Sequence, residues 1–277
     1  MNKVIGDKYK PTFHLNEIVK EIEALLGAHL VGLYLHGSLA MGGFNARNSD
    51  IDLLGVTRTQ LTNLEACYLT ELFLKKSTRP FPIEITFMNE QQLVDWEHPS
   101  MFDFHYSEYW RDEFEQKATG NTFLNVNWKD PDLAAHLTVT YHKGICLAGK
   151  PIHEVIPRVP EKDFVASVQN DYHDCLDNIV HDPVYCTLNL IRFYRYLKTG
   201  DIVSKLEGAK WGIKHFPEKF HTIIQSVLAI YQDNDGSSVL EADELYRIKA
   251  FLKVKIENLL LERSTGNSSR GMPDGAK

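Results

Sequence analysis

Hydrophobic positions in the first part of the chain alternate between helical and extended spacing. Apolar side chains recur every three or four residues over 15–26, with Asn16 as a candidate N-cap and Gly27 as the stop. Strand-length apolar runs follow, and a second helix is predicted before the last of them; the runs span 30–35, 51–56 and 82–88, and the helix spans 60–76. This alternation of strands, helices and turns predicts an α/β unit.

From residue 132 onward the pattern is helical, and strand alternation is scarce. Helices are predicted near 132–147, 161–180, 184–199, 204–214, 218–232 and 238–263. The segment 95–131 is irregular and rich in aromatic residues, and we interpret it as the connection between the two parts. The chain is therefore predicted to comprise an α/β domain at 1–131, a helical bundle at 132–263 and a disordered polar tail at 264–277.

The composition agrees with two folded domains and excludes some partners. The chain has 277 residues, of which 43% are hydrophobic and 24% are charged, as in soluble globular proteins. Its net charge of −7 offers no basic field for a nucleic acid. The sequence has no run of about 18 apolar residues that could span a membrane, and its cysteines form no CxxC pair. We therefore expect a cytoplasmic protein that binds neither nucleic acid nor membrane.

A pair of acidic residues follows a turn rich in Gly, Ser and Asn. Asp50 and Asp52 are two residues apart at the start of a predicted strand, so their side chains point to the same face. Two carboxylates placed that close repel each other unless protons or a cation offset the charge. Mg²⁺, which prefers oxygen ligands and is commonly bound together with phosphates, explains the pair most economically.

Two further features suit phosphoryl transfer beside this acidic pair. Gly37 and Ser38 lie between a strand and a predicted short helix, where backbone N–H groups and a hydroxyl can bind phosphate oxygens. Glu84 lies between Ile83 and Ile85, in a strand otherwise built for burial. Glu84 could act as general base toward an acceptor hydroxyl or complete the metal shell, and the sequence leaves both roles open.

Several segments resemble a known protein family. The run from His36 to Leu54 resembles the signature of the polymerase-beta-type nucleotidyltransferases, and more narrowly that of the aminoglycoside adenylyltransferases that modify streptomycin and spectinomycin. The similarity extends in order through both predicted domains, at 82–86, 107–111, 132–134, 187–192 and 199–211. It implies a nucleotidyltransferase α/β domain with a mixed sheet flanked by helices, followed by an all-α helical bundle.

The resemblance implies transfer of an adenylyl group from ATP, the co-substrate, to an antibiotic hydroxyl with the help of two Mg²⁺ ions. We expect the enzyme to be a monomer. Asp50 and Asp52 are expected to hold the metal, and Glu84 to be the catalytic base that also touches the antibiotic. The residues implied to bind the nucleotide come from both domains; they are Gly37, Ser38, Ser49, Asp50, Asp132, Arg192, Lys205 and Tyr231. Arg192 and Lys205 are expected to stabilise the departing pyrophosphate.

The antibiotic site implied by the resemblance includes Tyr109, His173 and Asp182 beside Glu84. An aromatic wall with carboxylates suits a cationic aminocyclitol. Family members that modify streptomycin have a tryptophan and an aspartate at the positions of His173 and Asn178, so spectinomycin is the favoured acceptor and streptomycin is not. Two alternatives stay open: transfer to a different acceptor, such as another antibiotic or a protein hydroxyl, and a non-catalytic nucleotide-binding regulator.

Overall fold

The computed structural model describes residues 11–46, 49–117, 128–233 and 240–268. The chain forms two compact units, and the boundary between them follows Ser167. This boundary lies later in the chain than the predicted one after residue 131, because the strand Ile145–Gly149 belongs to the sheet of the first unit. None of the helices in the described ranges is long and apolar enough to cross a lipid bilayer.

The first unit confirms the predicted alternation of helices and strands. Its early helix and its strands lie close to the predicted positions, and a capping box formed by Thr62 and Glu65 begins the second long helix. In chain order the elements are α1 (Pro11–Leu26), β1 (Leu30–His36), α2 (Gly37–Ala40), β2 (Ile51–Thr57), α3 (Asn63–Lys76), β3 (Ile83–Asn89), α4 (Glu90–Val94), β4 (Ser100–Met101), β5 (Phe104–Tyr106), α5 (Arg111–Lys117), β6 (Lys129–Asp130), α6 (Leu133–Lys143), β7 (Ile145–Gly149) and α7 (Ile152–Val155).

Five strands of the first unit form one mixed sheet in the order β5-β3-β2-β1-β7. β2 and β3 are parallel and are joined by α3, whereas the other neighbours are antiparallel. The mixed sheet flanked by helices is therefore confirmed, and the two edge strands differ from prediction. β5 lies in the segment interpreted as a connection, and β7 occupies the end of a predicted helix. In both places pairing with an open sheet edge overrides the local sequence pattern.

Each face of this sheet is covered by helices. One face carries Leu33, Leu53 and Ile85, which pack with the buried residues of α1 and α3. The opposite face carries Tyr34 and Leu54, which pack with Leu133 and Leu137 of α6. Because side chains alternate along a strand, the face that contacts α6 is also the one that carries the even-numbered residues at the start of β2 and β3.

The second unit is helical, as predicted. It contains most of α8 (Glu161–Asn178), followed by α9 (Pro183–Thr199), α10 (Lys205–His215), α11 (His221–Asp233) and α12 (Ala242–Ser268). Gly200 caps the C-terminus of α9, and its φ of +77° favours glycine. α12 extends to Ser268, so the predicted tail at 264–277 begins too early, and its remainder at 269–277 lies outside the described residues.

Candidate active site

Strand register places the predicted acidic residues side by side on the sheet of the first unit. Asp52 pairs with Glu84 across the parallel β2–β3 ladder and with His36 across the antiparallel β1–β2 ladder. Laterally paired residues project from the same face, so the two carboxylates are neighbours. Asp50 is exposed, and its charge acts on Asp52. The strand that carries Glu84 therefore does adjoin the strand that carries Asp52, and Asp50 immediately precedes that strand.

The electrostatic environment of Asp52 is unusual for a carboxylate. Burial raises the pKa of Asp52 from 3.8 to about 7, and the negative charges of Glu84 and Asp50 act in the same direction. His136 and the backbone N–H of Ser38 act against this rise; the N–H donates to Asp52 Oδ2 at 3.4 Å. Carboxylates whose pKa is raised by burial and by neighbouring negative charge are typical of functional sites. This arrangement favours the binding of a cation.

Three histidines that the sequence analysis did not select as site residues lie close to Asp52 or Glu84. The rings of His36 and His136 have centroids 5.1 Å apart, and His105 Nδ1 is 2.9 Å from Thr86 Oγ1. Burial lowers the pKa of His36 and of His105. Burial also acts to lower the pKa of His136, but the carboxylate of Glu84 and other nearby acids raise it overall. His36 begins the signature run, whereas His105 and His136 come from β5 and α6, so no spacing along the sequence could have revealed those two.

Gly37, Ser38 and Ser49 lie beside the same carboxylates. Gly37 has a φ of +62°, and a Cβ at this position would overlap the Asp52 carboxylate, so only glycine fits. The buried Ser38 hydroxyl has no hydrogen-bond partner among the described residues. Ser49 is buried, and its Oγ accepts the N–H of Asn45 at 3.1 Å, which leaves its own O–H free to donate to another group. An orphaned buried hydroxyl suits a ligand oxygen.

The acidic residues fit a metal that is shared with a ligand. Within the described ranges, no group of three or more His, Cys, Asp and Glu side chains could hold a metal ion alone. Asp50, Asp52 and Glu84 therefore do not form a closed cage. Mg²⁺ commonly takes one or two carboxylates and fills its other positions with phosphate oxygens and water. The raised pKa of Asp52 and the orphaned hydroxyl of Ser38 fit such an ion with a phosphate beside it.

The basic residues that the sequence analysis selected lie in the second unit. On α9, Arg192 Nε donates to the carbonyl of Val203 at 2.9 Å, and Nη1 donates to Asn189 Oδ1 at 3.2 Å. Burial lowers the pKa of Arg192, whereas nearby groups, Asp171 first and Tyr231 among them, act to raise it. Arg192 and Tyr231, both expected to bind the nucleotide, thus lie within electrostatic range of each other.

Lys205 is the first residue of α10, and its ammonium lies against an aromatic ring. The Nζ atom is 4.3 Å from the centroid of the Tyr185 ring, close enough for a cation–π interaction. The hydroxyl of Tyr185 donates to Asp171 Oδ1 at 2.9 Å. The sequence analysis did not select Tyr185 or Asp171, since neither belongs to a motif.

The other predicted residues of the first unit are exposed. Asp132 precedes α6 without a side-chain capping bond, and its charge acts on His136. Tyr109 is 83% exposed, and its ring makes an edge contact with Trp110 at a centroid distance of 4.9 Å. An aromatic side chain that is exposed to this extent has little role in packing and is available to a ligand.

In the second unit, His173 is exposed on α8, and Asp182 caps α9. Asp182 Oδ1 accepts the backbone N–H of Tyr185 at 3.2 Å. The amide of Asn178 donates to Asp174 Oδ1 at 2.9 Å on the same helix. The acid selected as an antibiotic contact therefore also has a local structural role.

Known proteins with similar sequences identify the family of this chain. Residues 154–255 match the family model described as aminoglycoside adenylyltransferase, C-terminal domain. The chain is 30% identical over 244 residues to a spectinomycin 9-adenylyltransferase of Staphylococcus aureus, covering 86% of this chain and 90% of the relative. It is 28% identical over 253 residues to a spectinomycin 9-adenylyltransferase of Campylobacter jejuni, with coverages of 89% and 95%.

A solved structure shares the fold. The crystal structure of a spectinomycin adenyltransferase from Enterococcus faecalis with ATP and spectinomycin superposes with a TM-score of 0.70 at 23% identity. The match covers 89% of this chain and 99% of that one. The structure shows the shared fold, and the 30% identical relative, matched over most of its length, shows that the chain belongs to the aminoglycoside adenylyltransferase family of nucleotidyltransferases.

Proposed function

We propose that this enzyme transfers the adenylyl group of ATP to a hydroxyl of spectinomycin and thereby confers resistance to that antibiotic. The observation that carries the proposal is the lateral pairing of Asp52 with Glu84 on adjacent parallel strands. This pairing puts a candidate base next to a candidate metal ligand. The S. aureus and C. jejuni relatives, named for spectinomycin, support this choice of acceptor.

Glu84 is the general base in this proposal. It withdraws the proton from the acceptor hydroxyl, the hydroxyl oxygen attacks the α-phosphorus of ATP in line with the leaving group, and pyrophosphate departs. Asp50 and Asp52 hold Mg²⁺, two ions in our proposal, and Glu84 borders the same site. The bound metal supplies positive charge for the phosphate oxygens and for the charge that develops on the pyrophosphate.

Residues of both units bind the nucleotide in this proposal. In the first unit, Gly37 allows close approach of a phosphate, the orphaned hydroxyl of Ser38 donates to it, and Ser49 and Asp132 contribute further polar contacts. In the second unit, Arg192 and Lys205 provide positive charge for the triphosphate, and Tyr231 contributes beside Arg192. Such basic groups stabilise the transferred charge in phosphoryl transfer.

The acceptor contacts are Tyr109, His173, Asp182 and Glu84. The exposed ring of Tyr109 suits stacking on an aminocyclitol, and the carboxylates suit its ammonium groups. Spectinomycin is favoured over streptomycin because His173 and Asn178 replace residues on which the resemblance places streptomycin binding. We further propose that the enzyme acts in the cytoplasm, where ATP is supplied, as a monomer without a nucleic-acid partner.

An acceptor screen for pyrophosphate release tests the reaction, the donor and the acceptor together. The purified enzyme with Mg²⁺ is given ATP or GTP and, in turn, spectinomycin, streptomycin or no acceptor. We expect release with ATP and spectinomycin, and weak or no release with streptomycin. Release with streptomycin but not with spectinomycin would contradict the specificity, and turnover with a different hydroxyl alone would favour the alternative acceptor. ATP binding without turnover of any acceptor would favour the regulator.

A further inference from the structure

Tyr185 supports the ammonium of Lys205 without belonging to any motif of the sequence. The Nζ of Lys205 lies 4.3 Å from the centroid of the Tyr185 ring. We propose that Tyr185 is a positioning residue whose ring holds the Lys205 ammonium where the triphosphate of ATP binds. This inference rests on the proposed role of Lys205 as a ligand of the triphosphate.

The ring of Tyr185 is fixed at both ends. Its hydroxyl donates to Asp171 Oδ1 at 2.9 Å, and its backbone N–H donates to Asp182 Oδ1 at 3.2 Å in the first turn of α9. Burial and the charge of Asp171 both raise the pKa of Tyr185, so the hydroxyl stays protonated and remains a donor. With the two ends of the residue held, the ring has little rotational freedom and presents a constant surface to the lysine.

The backbone of Lys205 is fixed as well, whereas its side chain is flexible. Ser204 and Glu207 form a capping box at the start of α10, with the Ser204 N–H donating to Glu207 Oε2 at 2.8 Å. Lysine loses much rotamer entropy when it is held in one geometry. An ammonium in the first turn of a helix is also disfavoured by the helix dipole. The electron-rich face of Tyr185 compensates for both effects and keeps the ammonium near the helix start.

The exposure of Tyr185 argues against a role in core packing alone. The residue is 39% exposed, although it lies in a helix whose next residue, Cys186, is 1% exposed. The hydroxyl, the backbone N–H and the ring face of Tyr185 each have a partner, while much of its surface is exposed to solvent. Such a residue is suited to holding a ligand-binding group in place.

Steady-state kinetics of Tyr185→Leu and Tyr185→Phe test this inference. We expect Tyr185→Leu to raise the KM for ATP about tenfold, the size of a partly desolvated cation–π contact, with little change in the KM for spectinomycin. Tyr185→Phe keeps the ring and should stay within about threefold of the wild type, because it loses only one hydrogen bond. If Tyr185→Phe were as impaired as Tyr185→Leu, the hydroxyl rather than the ring would matter, and the inference would be wrong.

Tyr246→Leu is the matched control. Tyr246 on α12 is 53% exposed, and Lys249 Nζ lies 5.9 Å from the centroid of its ring, so the variant removes a similar exposed ring from beside a lysine. It should leave the KM for ATP unchanged. Thermal unfolding of all the variants shows whether any change in KM accompanies a loss of stability.

A double-variant cycle separates this inference from the proposed function. In Lys205→Met, the KM for ATP should rise, and adding Tyr185→Leu should raise it no further, because the ring has no ammonium left to hold. If the increase in the KM for ATP of the double variant equalled the product of the increases in the two single variants, Tyr185 would act independently of Lys205 and the inference would be wrong. If Lys205→Met left the KM unchanged, the role of Lys205 and this inference would fall together, while the acceptor screen would still stand.

Discussion

The two units of this enzyme hold charge in opposite ways. In the first unit, the Asp52 carboxylate lies beside that of Glu84 and is also repelled by the charge of Asp50. Burial disfavours its charged form further. In the second unit, Arg192 donates to Val203 and Asn189, and Lys205 lies on a ring. The like charges of the acidic site favour a ligand that neutralises them. The cations of the basic site already have hydrogen-bond or ring partners in their own unit, although burial lowers the pKa of Arg192.

The largest expected effect on activity comes from removing the proposed general base, Glu84, of the acidic site. Glu84→Gln keeps the size of the side chain but cannot accept a proton, so we expect kcat to fall by about 10³-fold or more while ATP still binds. Pyrophosphate release measures kcat, and calorimetry measures the affinity for ATP. Glu71→Gln, an exposed glutamate on α3, is the control. A Glu84→Gln enzyme with near-wild-type turnover would remove Glu84 from the mechanism.

Without metal and nucleotide, removing a charge from the acidic site should stabilise the fold, whereas removing a charge from the basic site should destabilise it. Asp52→Asn relieves like-charge repulsion and should raise the unfolding temperature by at least about 2 °C, while activity is lost. Arg192→Met removes a half-buried cation together with its two hydrogen bonds and should lower the free energy of unfolding by about 2 kcal/mol. Calorimetry in EDTA measures both. If both variants shifted stability in the same direction, the proposed contrast between the acidic and the basic site would be wrong.

The pH dependence checks the cause of the Asp52 effect. The folded-state pKa of Asp52, about 7, lies above its ordinary value of 3.8, so the folded protein takes up this proton more readily than the unfolded chain. This carboxyl therefore destabilises the metal-free fold above pH 7, and the penalty disappears as the pH falls from 7 toward 4. The stability difference between Asp52→Asn and the wild type should shrink over the same range. A difference that does not vary with pH would assign the effect to packing instead.

The smallest expected effect concerns the exposed aromatic side chain of the first unit. Tyr109 is 83% exposed, so Tyr109→Ala should change the free energy of unfolding by less than about 0.5 kcal/mol. If the ring contacts the antibiotic, the KM for spectinomycin should rise about tenfold while the KM for ATP stays constant. Tyr68→Ala, at a 47% exposed tyrosine of α3, is the control. An unchanged KM for spectinomycin would exclude Tyr109 from the acceptor site.

Local pattern was enough to predict much of the fold. The spacing of apolar residues predicts α1, the strands that carry Asp52 and Glu84, and the helices of the second unit, because each of these elements buries a continuous face. It does not predict β5 and β7, which are short and owe their extended form to the edges they pair with. Prediction was therefore weakest where a partner distant in sequence determines the local structure.

The same distinction separates the site residues that the sequence revealed from those it did not. The acidic residues stand out because an acid in a strand built for burial is unusual. His105 and His136 reach the site only through β5 and α6, and Tyr185 becomes notable only because Lys205 lies over its ring. The role of such residues depends on spatial neighbours that lie far away in the chain.

The pairing of β7 with β1 has a consequence for synthesis on the ribosome. β1 ends at His36, but the strand that covers its outer edge begins at Ile145. The nascent chain thus exposes the backbone donors and acceptors of that edge until more than a hundred further residues have emerged, and an exposed edge is a template for aggregation. Translation products that stop before residue 145 keep the acidic residues but leave the edge uncovered, so we expect them to accumulate as insoluble fragments rather than as partial enzymes.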